Sequence, residues 1–169
     1  MRPVSASVTI DAPRERVFDV LCDLSARPAF TDHFISEYRL GRIDPVGPGA
    51  AARFRLLESG EWLDSVIEEA ERPHLIRERG RGGRLNRIPV ITIWELAEGP
   101  ATGGCEVTVS FWTEPANPID RVRELAGSGR WFRRKWARAL ARLKELVESE
   151  RPIERVAVAG RDRLPTFPS

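Results

Sequence analysis

The chain has 169 residues, 41% of them hydrophobic and 31% charged, with a formal net charge of +2. These are the size and balance of one ordinary globular domain, which buries about 70% of the surface its unfolded chain exposes. They argue against disorder, a two-domain layout and whole-molecule polyanion binding, and no apolar run reaches the ~18 to 20 residues of a membrane-crossing helix.

The N-terminus also lacks the apolar core of a signal peptide, so the expected location is the cytoplasm. The 27 basic residues are all arginine except Lys135 and Lys144, which points to a GC-rich coding genome before it points to chemistry. Cys22 and Cys105 stand far apart without ligand spacing. Neither a zinc site nor a disulfide framework is expected, and both are read as packing residues.

Residues 5–11, SASVTID, alternate Ala6, Val8 and Ile10 against Ser5, Ser7 and Thr9, the period of a half-buried strand. Asp11 is a possible cap and Pro13 a first-turn residue for a helix of about three turns, whose stripe is Val17, Val20, Leu21 and Leu24. Pro28 ends that helix, and residues 28–34, PAFTDHF, suffice for one more helical turn.

From Ile35 to Pro115 short strand-like runs alternate with turn chemistry at residues 44–49, 58–61, 71–74, 80–83 and 99–104. Five breaks predict six strands in an antiparallel meander. In CEVTVSFWT, residues 105–113, Cys105, Val107, Val109 and Phe111 share one face; IPVITIWEL, residues 88–96, is apolar on both.

After Asn117-Pro118 the period becomes helical. Over residues 130–147 it gathers Phe132, Trp136, Ala139, Leu140, Leu143, Leu146 and Val147 on one face, with Arg134, Lys135, Arg138 and Arg142 opposite. Trp131 falls among the charges, so it packs on a loop or marks an irregular turn. Residues 150–169, with three prolines and little periodicity, are read as a tail to a domain spanning 1–149.

Seven antiparallel strands in succession must twist and curve, and the concave apolar face needs a cover. One long helix cannot fill it, so a space lined by large side chains is expected between helix and sheet, where small apolar ligands bind. The helix face offers Phe132, Trp136 and Leu140 to that space. Strand alternation offers Phe54, Thr92, Trp94, Val109 and Phe111, together with Trp62, whose strand supports either facing. Arg53 and Arg55 should point outward; an inward Arg77 or Arg79 would call for an acidic ligand group.

No nucleophile elbow, H-E-x-x-H or phosphate-binding loop is present. The run RGRGGR, residues 79–84, is read as a hairpin turn in which Gly80, Gly82 and Gly83 supply positive φ, because no aromatic interleaves the arginines as nucleic-acid binding would require. His74 is expected in an exposed turn. The basic helix could touch an anionic membrane transiently through its back, but covering the sheet competes with stable insertion.

The opening VTIDAPRERVFDVLCDLSARPAF, the strands ITIWELAEG and GGCEVTVSF and the closing WFRRKWARALARLKELVE resemble the START-like helix-grip superfamily (SRPBCC), and within it the polyketide cyclase/dehydrase-type proteins. The resemblance covers residues 4–148. It implies an α+β helix-grip fold, β-α-α-β6-α, with a curved antiparallel sheet of about seven strands wrapped on a long C-terminal helix. It places His33 near the pocket entrance and Phe30 in the aromatic-proline cluster after the first helix, here reduced to Arg27-Pro28-Ala29-Phe30.

The expected function is to bind a small hydrophobic molecule, lipid- or polyketide-like, with no cofactor, metal or nucleic acid. A polyketide cyclase, aromatase or dehydratase is the alternative, and a ligand-free protein-interaction module the third reading. A purely apolar cavity favours carriage, and convergent buried polar groups favour catalysis.

Overall fold

A computed structural model describes residues 3–83, 87–100, 103–114, 128–149 and 151–157. The first strand, β1 (Val4–Ile10), leads to α1 (Arg14–Cys22), a 3-10 turn (Leu24–Ala26) and the single-turn α2 (Pro28–Thr31). Six strands follow: β2 (Ile35–Leu40), β3 (Ala51–Leu56), β4 (Trp62–Glu71), β5 (Leu75–Gly82), β6 (Ile88–Glu98) and β7 (Cys105–Thr113). The long α3 (Ser128–Glu148) comes after them.

The strands form one antiparallel sheet in the order β1-β7-β6-β5-β4-β3-β2, so the two edges are β1 and β2. The chain crosses from one edge to the other through α1, the 3-10 turn and α2. Twist makes a sheet of this width curl, and bulges within β2 and β4 add local bends. The result is an α+β half-barrel closed by the C-terminal helix, the helix-grip arrangement.

Alternation sets which side chains face inward. Cys105, Val107 and Phe111 on β7 and Val90, Trp94 and Leu96 on β6 are buried in one core with Trp136, Ala139, Leu140, Leu143 and Val147 of α3. The facings expected for β7 and for the helix therefore hold. On the outer face Arg77 pairs with Glu69 and Arg79 with Glu68, while Arg53 and Arg55 pair with Asp64 and Glu37. Cys22 and Cys105 are buried free thiols; burial pushes Cys105 up to about 11, so it packs as a protonated thiol.

Three local expectations are corrected. Asp11 does not cap α1: Pro13 occupies the cap position without a side-chain bond, and the Asp11 amide donates to Glu148 Oε1 at 2.7 Å. The first helix ends at Cys22, and Leu24 belongs to the 3-10 turn, because Asp23 adopts extended backbone and accepts from the Ser25 amide. The fourth break comes later than 80–83, since β5 runs to Gly82 and only Gly83, at φ 81°, takes the left-handed turn conformation.

Trp131 packs on the β3–β4 turn, donating its indole N–H to Glu58 and standing edge-on to Phe34 at 6.2 Å. Residues 151–157 of the predicted tail return to the 3-10 turn. There the Val156 amide donates to Ser25 O and Arg155 Nε to Asp23 Oδ2, both at 2.9 Å. The remainder of the tail lies outside the described residues.

Candidate functional site

Between α3 and the β2–β7 part of the sheet lies a hollow with about 530 Å³ of space between atoms, its mouth included. Only about 30 Å³ admits the centre of a water molecule, room for a water or two. A larger guest enters by displacing wall side chains. Much of that wall is apolar: Phe34, Phe54, Leu63, Val90, Phe111 and Phe132 take part in it, and Trp136 lies beside them.

One end of the hollow is polar. Arg27 follows the 3-10 turn and Glu78 lies on the inward face of β5, two residues after buried Ile76. The guanidinium donates to Glu78 Oε1 at 2.6 Å through Nη2 and to Oε2 at 3.4 Å through Nη1. Trp94 Nε1 donates to Oε1 at 2.8 Å and Ser65 Oγ to Oε2 at 2.7 Å. A carboxylate offers about four lone-pair sites, so Glu78 is saturated. Arg27 also donates to Leu21 O at 3.2 Å and lies 4.8 Å from the centre of the Trp94 ring, a cation–π contact.

Tyr38 enters this end because β2 is bulged. Glu37 takes φ 49°, and the pairing shifts between Ser36 and Arg39. An extra residue in a strand re-aims the side chains after it, so Glu37 faces out to Arg55 while Tyr38 lines the hollow. Its hydroxyl donates to Leu24 O at 2.9 Å, and its ring stacks on Phe54 at 5.9 Å. Burial raises the Tyr38 hydroxyl well above the ordinary tyrosine range, so it stays protonated.

Of the side chains expected at the site, Phe54, Thr92, Phe111, Phe132 and Trp136 line the hollow. Phe30, Trp94, Val109 and Leu140 are buried behind it, with Phe30 edge-on to Trp94 at 6.4 Å and Trp94 to Trp136 at 5.3 Å. Trp62 is turned away, on the outer face beneath the Arg39 and Arg53 guanidiniums at 6.0 and 5.1 Å. Its strand register follows from Leu63 pairing with Phe54 on the inner face.

His33 is half-buried outside the hollow between α2 and α3, donating from Nε2 to Lys135 O at 3.2 Å. His74 is exposed, with Nδ1 3.4 Å from Arg14 Nη1.

Arg27, Tyr38, Ser65 and Glu78 escape a reading that seeks apolar walls. A signal existed for Glu78: once Ile76 is placed inward, alternation places Glu78 inward too, and a buried carboxylate requires a cation. No such signal exists for Tyr38, whose facing depends on the bulge. Among the described residues no His, Cys, Asp and Glu cluster could hold a metal, and no helix is long and apolar enough to cross a membrane.

Comparison with known proteins bears on the same architecture. The family model described as "Polyketide cyclase / dehydrase and lipid transport" matches residues 1–148. No curated protein matches the chain. Among solved structures, the KanY protein is similar at TM-score 0.67 and 19% identity, over 86% of this chain and 97% of that one. A START superfamily protein from Mycobacterium smegmatis gives 0.59 and 16%, over 87% and 97%.

The protein DynU16, "a putative protein in the dynemicin biosynthetic locus", gives 0.61 and 19%, over 92% of this chain but 50% of its own. At such identities these likenesses speak for the fold alone. The family match runs from β1 to the last residue of α3, the same elements that curl around the hollow and close it. This chain therefore belongs to the polyketide cyclase / dehydrase and lipid transport family.

Proposed function

We propose that the protein binds a small hydrophobic molecule, lipid- or polyketide-like, between its sheet and α3. The observation that carries this reading is the hollow itself: an aromatic and aliphatic wall with one polar end, the composition usual for small-molecule sites. Phe54, Phe111, Phe132 and Trp136 are the contact residues for the apolar body, with Thr92 among them. Phe30, Trp94, Val109 and Leu140 support that wall, and His33 sits outside it.

A second reading, an enzyme of the cyclase, aromatase or dehydratase type, draws support from the convergence of Arg27, Tyr38, Ser65 and Glu78. Those groups are already committed, however: Arg27 and Ser65 to Glu78, and Tyr38 to the Leu24 carbonyl. Glu78 could serve as a base only by breaking its pair, so catalysis here would rest on holding a flexible chain folded, which removes conformational freedom before reaction. Carriage needs no such rearrangement and is the preferred reading.

The test is native mass spectrometry of freshly purified protein, followed by denaturing extraction. A single mass released in near-stoichiometric amount supports a carrier. Protein that is uniformly empty moves the balance to a transient catalytic site.

A further inference from the structure

The hollow's polar end also indicates which guest it suits, given that it binds one at all, as proposed above. The Arg27 charge is cancelled by Glu78, and the Glu78 lone pairs are filled by Arg27, Trp94 and Ser65. Tyr38 and Ser65 have each spent their only hydroxyl hydrogen, on Leu24 O and Glu78 Oε2. A guest carboxylate would therefore meet only a neutral pair in a place of low dielectric. Its desolvation would not be offset.

What remains among the described lining residues is a surplus of donors. The indole N–H of Trp136 and the Nε–H of Arg27 are buried without an acceptor. Thr92 is 7% exposed and contributes a hydroxyl to the same wall. Buried donors are seldom left unpaired, because each costs about 1 to 3 kcal/mol of desolvation.

The matching guest offers an oxygen acceptor and no charge. We infer that the hollow selects an uncharged, carbonyl-bearing molecule, such as a ketone, ester or lactone, over a fatty-acid anion, with Trp136 and Thr92 as the hydrogen-bond donors that choose it.

The test compares three ten-carbon probes, methyl octyl ketone, decanoate and decane, by calorimetric titration and thermal shift on the full chain at pH 7.5. The ketone should bind about tenfold tighter than either of the others, the size of one to two net hydrogen bonds. Trp136→Phe, which keeps a ring but removes the N–H, and Thr92→Val should each weaken ketone binding more than decane binding and so narrow the ketone-to-decane ratio. Folding of each variant is checked by its thermal midpoint.

Decanoate binding as tightly as the ketone, or an unchanged ratio in both variants, would overturn the donor assignment while leaving hydrophobic binding intact. Failure of all three probes to bind would overturn the binding proposal and this inference with it.

Discussion

Arg27 and Glu78 meet inside the protein with Nη2 and Oε1 2.6 Å apart and side chains 6% and 3% exposed. Arg27 immediately precedes α2, and Glu78 belongs to β5 in the middle of the sheet. The pair therefore ties the edge-to-edge crossover to the concave sheet face, and Trp94 and Ser65 bind the same carboxylate from β6 and β4.

A buried pair of this kind is costly to break and adds little over well-packed apolar residues. Arg27→Met should lose about 3 to 5 kcal/mol, because it leaves Glu78 charged without a cation, and Glu78→Leu should lose a similar amount. The double variant should lose less than either single one. Guanidinium unfolding of all four proteins measures this. Additive losses would mean that the two charges act separately.

Gly80 and Gly82 both face the interior from β5, and their tolerance of a methyl group should differ. A Cβ on Gly80 would lie 1.7 Å from the Asp64 carbonyl oxygen, a backbone atom of β4, whereas on Gly82 it would meet the Leu63 side chain at 3.1 Å. A side chain can yield and a paired strand cannot. Gly80→Ala should cost about 3 kcal/mol or more, and Gly82→Ala about 1 kcal/mol. Equal midpoints in urea would show that β4 and β5 separate easily at this point.

These glycines show how sequence pattern reached its limit. Read as turn residues, they moved the strand end back, because close approach of two backbones leaves no periodic mark. Where the signal was periodic it served well: the β7 and α3 faces follow from alternation and the 3.6-residue period, and the six-strand meander from strand-like runs together with the turn chemistry that separates them. The apolar wall was accessible by the same route, through Phe54, Thr92, Phe111, Phe132 and Trp136. The polar end was not, since Tyr38 owes its facing to the Glu37 bulge and Arg27 to a 3-10 turn. Trp62 had an ambiguous strand pattern, which only the pairing of β3 with β4 resolves.

His33 gives stability a pH dependence. Burial holds its pKa below the ordinary 6.5; the hydrogen bond to Lys135 O acts the other way, and nearby Arg138 and Arg142 oppose the charged form while Asp32 favours it. Because Nε2–H serves the carbonyl, protonation would place a hydrogen on Nδ1, which is buried without a partner. The unfolded chain thus binds the proton more readily. Stability is fully present above the unfolded value and declines as pH falls through 6.5 toward the lower folded value. Urea midpoints from pH 8 to 5.5 should fall more for the parent protein than for His33→Gln, which retains an N–H donor. Parallel slopes would place the titration elsewhere.

The last prediction concerns the chain beyond α3. The family match ends at residue 148, yet residues 151–157 return to the 3-10 turn through Val156 and Arg155. The contacts described there are one backbone hydrogen bond and one ion pair, in which Arg155 is 58% exposed and Asp23 12%. Solvent screens that pair, so the segment's net contribution should be about 1 kcal/mol. A chain ending at Ser149 should fold with this small loss of stability. Amide exchange should quicken around Ser25 and remain unchanged in β6 and β7, since the bonds described for residues 151–157 go to Asp23 and Ser25. A loss above about 3 kcal/mol would instead make the segment an integral part of the domain, because one screened pair and one hydrogen bond cannot supply that much.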